Sequence, residues 1–310
     1  MMIIYFSGGG DSTPGTKWRL MNEYLLEQGA ARLLSFAYVE QLYSYCKLVV
    51  EHNKKVRLMV DSGAFTAWSL GKQVDLEALS SMFGSLIDTY SSHVEFVLIN
   101  LDVIPGRKGV DATPKQIHDA MVKSQENFKI LNARYPNMVL PVFHQDEPLT
   151  YLHTLHSECN YVCLSPRNDL HEQLRVAWAR GVANLSTNYH GLAATGADMM
   201  RTVPWYSVDS ASWIMCGAYG GIYLHRGNTI PVLKISDQSS IRGQFDMHYD
   251  SLSPVMQKTI ADEVAAKGFD IVEMRSNHWS RYKWNALLWL DWERTFTFAP
   301  QPTTRKLFNA

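Results

Sequence analysis

Apolar runs recur along the chain and alternate with longer amphipathic stretches. The runs read MIIYFS, RLLSFAYV, VRLMVDSG, EFVLINLDV, NMVLPVFH, NYVCLSP, a weaker YHGLAATG, and WYSVDS. Between them lie segments of helical period such as DLEALSSMFGSLIDTY and PKQIHDAMVKSQENFKILNARY. In the second, Ile117, Met121, Phe128 and Leu131 fall near helical spacing and Pro114 suits a first turn. Strands that are apolar at nearly every position are buried on both faces, as in a parallel sheet covered by helices. Eight such units over about 250 residues predict a (β/α)8 TIM barrel in the α/β class. A doubly wound open sheet is the alternative, because periodicity does not show closure.

After Ser212 the rhythm changes. GGIYLHRGNTIPVLKIS reads as a hairpin turning at Arg226-Gly227-Asn228. Two helices follow, SPVMQKTIADEVAAKG and NHWSRYKWNALLWLDWERTF, and the second carries Trp279, Trp284, Trp289 and Trp292. Most of these tryptophans are expected to pack the helix on the barrel, with base stacking suiting one or two at most. The whole chain, 1–310, is thus expected to be one domain, with a barrel core over about 1–215 and a hairpin and helices over about 216–310.

Composition narrows this little. The chain has 46 % hydrophobic and 19 % charged residues, which suits a globular protein with a substantial core. Its 29 basic and 30 acidic residues nearly cancel, so bulk charge gives no argument for a polyanion partner. No apolar run approaches the ~20 residues that span a bilayer, and the N-terminus lacks a secretory pattern. No membrane partner and a cytoplasmic location are expected. Cys46, Cys159, Cys163 and Cys216 sit in apolar contexts without a second pair to complete a zinc knuckle.

In a barrel the chemistry lies where strands end and loops begin. The polar residues there are Asp61-Ser62-Gly63, Asp102, His144-Gln145-Asp146, Ser165, Gly191 to Gly196, and Asp209-Ser210. A lone strand-end aspartate is as readily a helix cap. Three aspartates and a histidine on one rim point instead to displacement at an anomeric carbon, where one carboxylate attacks and another group handles the leaving group's proton. A metal would also use such residues, but no tight pair such as HxH or HxxxH is present, and no metal is expected.

These residues resemble the tRNA-guanine transglycosylase superfamily, whose fold is a (β/α)8 barrel. Its DSGGFQ motif is similar to Asp61-Ser62-Gly63-Ala64-Phe65-Thr66, its base-reading aspartate to Asp102 in LINLDVIPG, and its nucleophile to Asp209 in YSVDSASW. His144 stands near the family's base-contacting glutamine, and GLAATGADMM echoes its glycine turn. The agreement covers roughly residues 55–215. The family's CxCxxC zinc motif is missing, its strand-six GGLAVG is replaced by CLSPRN, and no appended RNA-binding domain follows. This combination looks like the divergent bacteriophage branch that places 7-deazaguanine bases in DNA.

The resemblance implies Asp209 as nucleophile, Asp61 as general acid/base, Phe65 stacking on the base, and Asp102 with His144 on its edge. Ser62, Gly63, Ser165 and Gly191 would complete the substrate pocket. It implies DNA with a flipped guanine and a free 7-deazaguanine base as partners, tRNA as the alternative, no cofactor, and the host cytoplasm for a protein of phage origin. Arg226, Lys234, Arg242, Arg275, Arg281, Lys283 and Arg294 are candidates for a groove beside the mouth.

One motif stands outside this reading. Ser7-Gly8-Gly9-Gly10-Asp11-Ser12 matches the SGGxDS loop of ATP pyrophosphatases. There a helix follows at once so that its N-terminus faces phosphate. Here Pro14 and Gly15 intervene, so the motif favours a plain turn or a rim loop touching substrate backbone over an ATP-dependent enzyme.

Overall fold

The computed structural model describes residues 2–107, 109–183, 187–241, 248–296 and 298. Nine parallel strands form one sheet: β1 (Ile3–Ser7), β2 (Ala31–Ser35), β3 (Val56–Asp61), β4 (Val94–Ile99), β5 (Val139–Leu140), β6 (Val142–His144), β7 (Tyr161–Ser165), β8 (Asn188–Gly191) and β9 (Ser207–Ser210). Their order is β5-β4-β3-β2-β1-β9-β8-β7-β6. The two ends of that order, β5 and β6, are separated in the chain by Pro141 alone. Proline has no N–H to give the ladder, yet its carbonyl still accepts from Cys163 N at 2.8 Å on β7. The two pieces act as one interrupted stave. β5 pairs with β4 and β6 with β7, so the sheet curls into a nearly closed, eight-staved (β/α)8 barrel. The predicted fold class is therefore the observed one.

Period-two alternation sorts each strand into an inner and an outer set. Tyr5, Leu33, Met59, Ile99, Leu140, Val142 and Cys163 pack together inside the barrel. Their strand neighbours face the surrounding helices in two larger clusters. Continuing the inner set upward by two residues reaches Ser7, Ser35, Asp61, His144 and Ser165. The layer above the apolar plug is thus largely polar because most of the inward registers end on a polar residue.

The predicted hairpin is β10 (Gly221–Tyr223) against β11 (Val232–Lys234), with an Arg226–Thr229 bridge closing the turn. The expected helices span Pro254–Ala266 and His278–Thr295, and a short one at Ile271–Ser276 was not foreseen. Trp284, Trp289 and Trp292 are fully buried in the same cluster as Phe6 and Val208 of the barrel. Buried Asn285 stitches the parts together: it accepts from Tyr223 N at 2.9 Å and donates to Trp213 O at 3.1 Å.

Most of the late basic residues have partners within the protein. Arg281 is buried and donates to Gly217 O and Met274 O, Arg226 pairs with Glu263, and Arg275 with Asp250. Lys234 donates to Tyr219 O, Arg294 to Gln28 O, and Lys283 lies over the Tyr24 ring. Arg242 lies outside the described residues. These side chains are committed to holding the C-terminal elements together, because a buried or half-buried cation needs local acceptors.

Candidate active site

Asp61 ends β3 inside the mouth. Its Oδ2 accepts the Gly63 N–H at 3.0 Å, a turn that needs Gly63 in the left-handed region at φ +77°. A Cβ on Gly63 would lie 3.0 Å from Ala37 N, so any other residue there would push two rim segments apart. Burial pushes the Asp61 pKa up to about 6, with Asp102 and Asp209 adding to the rise against the Ser35 hydroxyl and the Gly63 N–H. Such a carboxyl holds and releases a proton near neutral pH.

Asp102 lies three residues beyond β4, on a segment fixed from the helix Pro114–Arg134. Asn127 donates to Leu101 O at 2.8 Å and Ser124 Oγ accepts from Val103 N at 2.8 Å, so the aspartate is held from both sides. Its Oδ2 is 2.9 Å from His144 Nε2 at the end of β6. Burial opposes charge on His144, but Asp102, Glu147 and Asp146 outweigh it and raise its pKa. Glu147 was not foreseen from sequence. It is buried, accepts from His144 N at 2.7 Å, and is pushed by that burial up to about 7.

Asp209, near the end of β9, receives a donor on each oxygen. Ser7 Oγ, at the end of β1, donates to Oδ2 at 2.6 Å, and Ala193 N donates to Oδ1 at 3.0 Å. Ala193 is a non-glycine residue in the left-handed region, at φ 50°, an arrangement that costs about 1 kcal/mol or more. The cost is borne where its N–H meets this carboxylate and where the next amide, Ala194 N, meets the Asp209 carbonyl at 3.1 Å.

Behind Asp209 lies a chain of polar groups running down the barrel. His190 Nε2 is 3.3 Å from Asp209 Oδ1, though off the line of a straight hydrogen bond. His190 Nδ1 shares a 2.6 Å hydrogen bond with Ser207 Oγ, which shares one of 2.5 Å with Tyr161 OH. His190 is wholly buried, edge-on to Tyr5. Sequence reasoning passed over it as part of a weak strand. Its signal was the register: it precedes Gly191 and pairs with Ser207, two residues before Asp209.

The structure therefore brings Asp61, Asp102, His144 and Asp209 to one mouth, within electrostatic reach of one another. Cys163 lies beneath them, its thiol raised well above the ordinary range by burial and by all three carboxylates. Ser165 sits opposite His144 in register, and Gly191 is walled by Ala194 and Trp205 so closely that a Cβ would clash. Ser62 is fully buried and its Oγ has no partner among the described residues. Phe65 is 55 % exposed beside Trp68, whose indole donates to Gly106 O at 3.2 Å. An aromatic left in water at the rim offers an open apolar face.

Three loops around the mouth share one cation. Arg167 pairs with Asp111 at 2.8 Å, Asp146 at 3.3 Å and Asp169 at 2.6 Å, joining the loops after β4, β6 and β7. Among the described residues no three His, Cys, Asp or Glu side chains are placed to hold a metal ion. No helix among them is long and apolar enough to cross a membrane. No protein-family model matches the chain, and no curated protein matches it.

Proposed function

We propose that this protein is a transglycosylase that exchanges guanine in DNA for a 7-deazaguanine base through a covalent aspartyl–sugar intermediate. The observation that carries the reading is the unlike setting of two carboxyl groups at one mouth. Asp209 has a donor on each oxygen, whereas Asp61 is pushed up to about 6 by burial and by its acidic neighbours. Two carboxyl groups with separated environments divide into nucleophile and acid/base.

In the proposed sequence an Asp209 oxygen attacks C1′ of a deoxyguanosine unit drawn out of its strand. The C1′–N9 bond breaks as Asp61 gives its proton to the departing guanine. The Ser7 hydroxyl and Ala193 amide, which hold the carboxylate beforehand, later stabilise it as the leaving group. An incoming 7-deazaguanine then loses its N9 proton to ionised Asp61 and attacks C1′. The C1′–O bond to Asp209 breaks, and two inversions retain configuration. Asp102 with His144 presents an acceptor–donor pair to the edge of the base, and Phe65 offers a stacking face. No cofactor takes part. The chemistry belongs to the cytoplasm, where nucleic acid and free base meet.

The test offers guanine-containing DNA and tRNA together with a 7-deazaguanine base and digests both to nucleosides. Modified deoxynucleoside is expected from the native protein, with a loss of several orders of magnitude in Asp209→Asn. Modified ribonucleoside alone moves the substrate to tRNA. Undiminished exchange in Asp209→Asn removes the nucleophile assignment.

A further inference from the structure

The loop Gly8–Ser12 follows directly on the serine that holds Asp209, and the proposed exchange leaves it without a task. Its carbonyls are nearly all turned inward. Arg32 Nη2 donates to Gly8 O at 2.6 Å, and Asn22 Nδ2 to Gly9 O at 2.9 Å and Asp11 O at 3.1 Å. Ser12 Oγ donates to Gly10 O at 3.2 Å, and Arg19 reaches Ser12 O at 3.3 Å. In a trans peptide the carbonyl and the following N–H point opposite ways. Pinning the Gly8 carbonyl inward therefore turns the Gly9 amide out. Among the described residues no acceptor receives the Gly9 or Asp11 N–H, whereas the Gly8 N–H is turned toward Leu33 on β2, Gly10 N goes to Gln41 and Ser12 N to Ser44. Gly8 and Gly9 both have positive φ, at +80° and +63°, and Gly8 is exposed. Two outward amides, Gly9 and Asp11, on either side of an inward one suit an oxyanion.

The second observation is Arg32 itself. Its side chain is fully buried below Gly8, between the Tyr45 and Trp213 rings, and Nε and Nη1 have no partner among the described residues. Burial lowers its pKa to about 10, which leaves it charged at neutral pH. No carboxylate among the described residues pairs with it. A guanidinium buried without a counter-ion is costly, and the one group it holds is the peptide that aims the loop.

We infer that the Gly8–Asp11 loop, backed by Arg32 and Asn22, seats a phosphodiester of the strand next to the nucleotide that Asp209 attacks. The placement rests on the transglycosylase reading, since a nucleotide's phosphates lie one sugar ring from C1′ and Gly8 lies one residue from Ser7. The same oxyanion chemistry could come from a free nucleotide, and the experiment separates the two. Single-stranded oligodeoxynucleotides with one guanine carry a neutral methylphosphonate at one phosphate at a time. Their binding to the native protein, Arg32→Met and Asn22→Leu is followed by fluorescence anisotropy.

One position beside the guanine is expected to weaken native binding about tenfold, the scale of a charged hydrogen bond. Both variants are expected to bind the all-phosphate strand about tenfold more weakly and to ignore that position. Circular dichroism checks folding, and the scan on native protein stands even if a variant does not fold. A flat scan, variants that keep the position effect, or no strand binding at all overturns the seat. Competition by micromolar ATP or pyrophosphate reassigns it to a free nucleotide and overturns the strand proposal. Base exchange read in the same mixtures keeps the two ideas apart. Exchange with a flat scan removes the seat alone, and a position effect without exchange removes the chemistry alone.

Discussion

At the scale of single residues, Asp61 links stability and activity. Its pKa is raised to about 6 in the folded protein from an ordinary value of 3.8, so the folded state binds the proton more tightly than the unfolded chain. Stability should then fall as pH rises from about 4 through 6, and the ionised carboxyl should be a net cost above that window. Asp61→Asn removes the cost while keeping the shape. It is expected to raise the melting temperature at pH 7, by up to about 3 kcal/mol in stability, while base exchange collapses. Differential scanning calorimetry at pH 4 and pH 7 checks the sign, and a variant destabilised at both values would mean that the carboxyl is structural. If the proposed exchange holds, the rate of single-turnover guanine release should drop as pH climbs through about 6 in native protein, because in that reaction the leaving base needs the protonated acid.

His190 gives a second test at this scale. Removing it takes the imidazole away from its place 3.3 Å from Asp209 Oδ1 and leaves the buried Ser207 hydroxyl with Tyr161 OH alone. His190→Leu is expected to lower kcat by about tenfold, the scale of disturbing one buried polar contact. KM should change little, and His190→Gln, which keeps a donor near the Nε2 position, should recover part of the loss. A change confined to KM would remove His190 from the support of Asp209.

At the scale of elements, the loops matter more than the helices they join. Each ion pair made by Arg167 is partly exposed and by itself contributes about 0–1 kcal/mol. Together they tie three loops that carry or flank Asp102, His144 and Ser165. Arg167→Ala should therefore leave the melting temperature nearly unchanged and raise KM for nucleic acid, which paired melting and steady-state measurements resolve. The C-terminal helix behaves in the opposite way. Trp289 touches Phe6 of β1 at 5.8 Å between ring centroids and Tyr223 of the hairpin at 5.5 Å. Trp289→Ala is expected to cost about 3–5 kcal/mol, and ending the chain before residue 278 to prevent the barrel from folding. A stable, cooperative unfolding transition in that truncated chain would make the C-terminal part a separable domain.

At the scale of the whole molecule, sequence and tertiary structure contribute different things. The eight apolar runs were enough to give a parallel sheet covered by helices, a barrel or an open doubly wound sheet, because a strand buried on both faces has to be covered and leaves few architectures. The same runs end in Asp61, Asp102, His144, Ser165 and Asp209, so most of the mouth was legible as well. The hairpin turn and the burial of Trp284, Trp289 and Trp292 followed from local chemistry and helical period. Pairings between distant residues were not legible. Nothing local in SGGGDS says that Ser7 will meet Asp209, 202 positions away, at 2.6 Å, or that a buried arginine lies under Gly8. His190 looked like one polar residue in a weak strand until the parallel register set it beside Ser207 and behind Asp209. The carbonyls and carboxylates that Arg226, Arg275 and Arg281 hold were likewise set by packing. Periodicity and strand-end chemistry are properties of a few neighbouring residues, so the sequence alone determined the eight strand–helix units and the polar residues at the strand ends. Which donor meets which acceptor depends on register and closure across the whole barrel, and that only the tertiary structure decided.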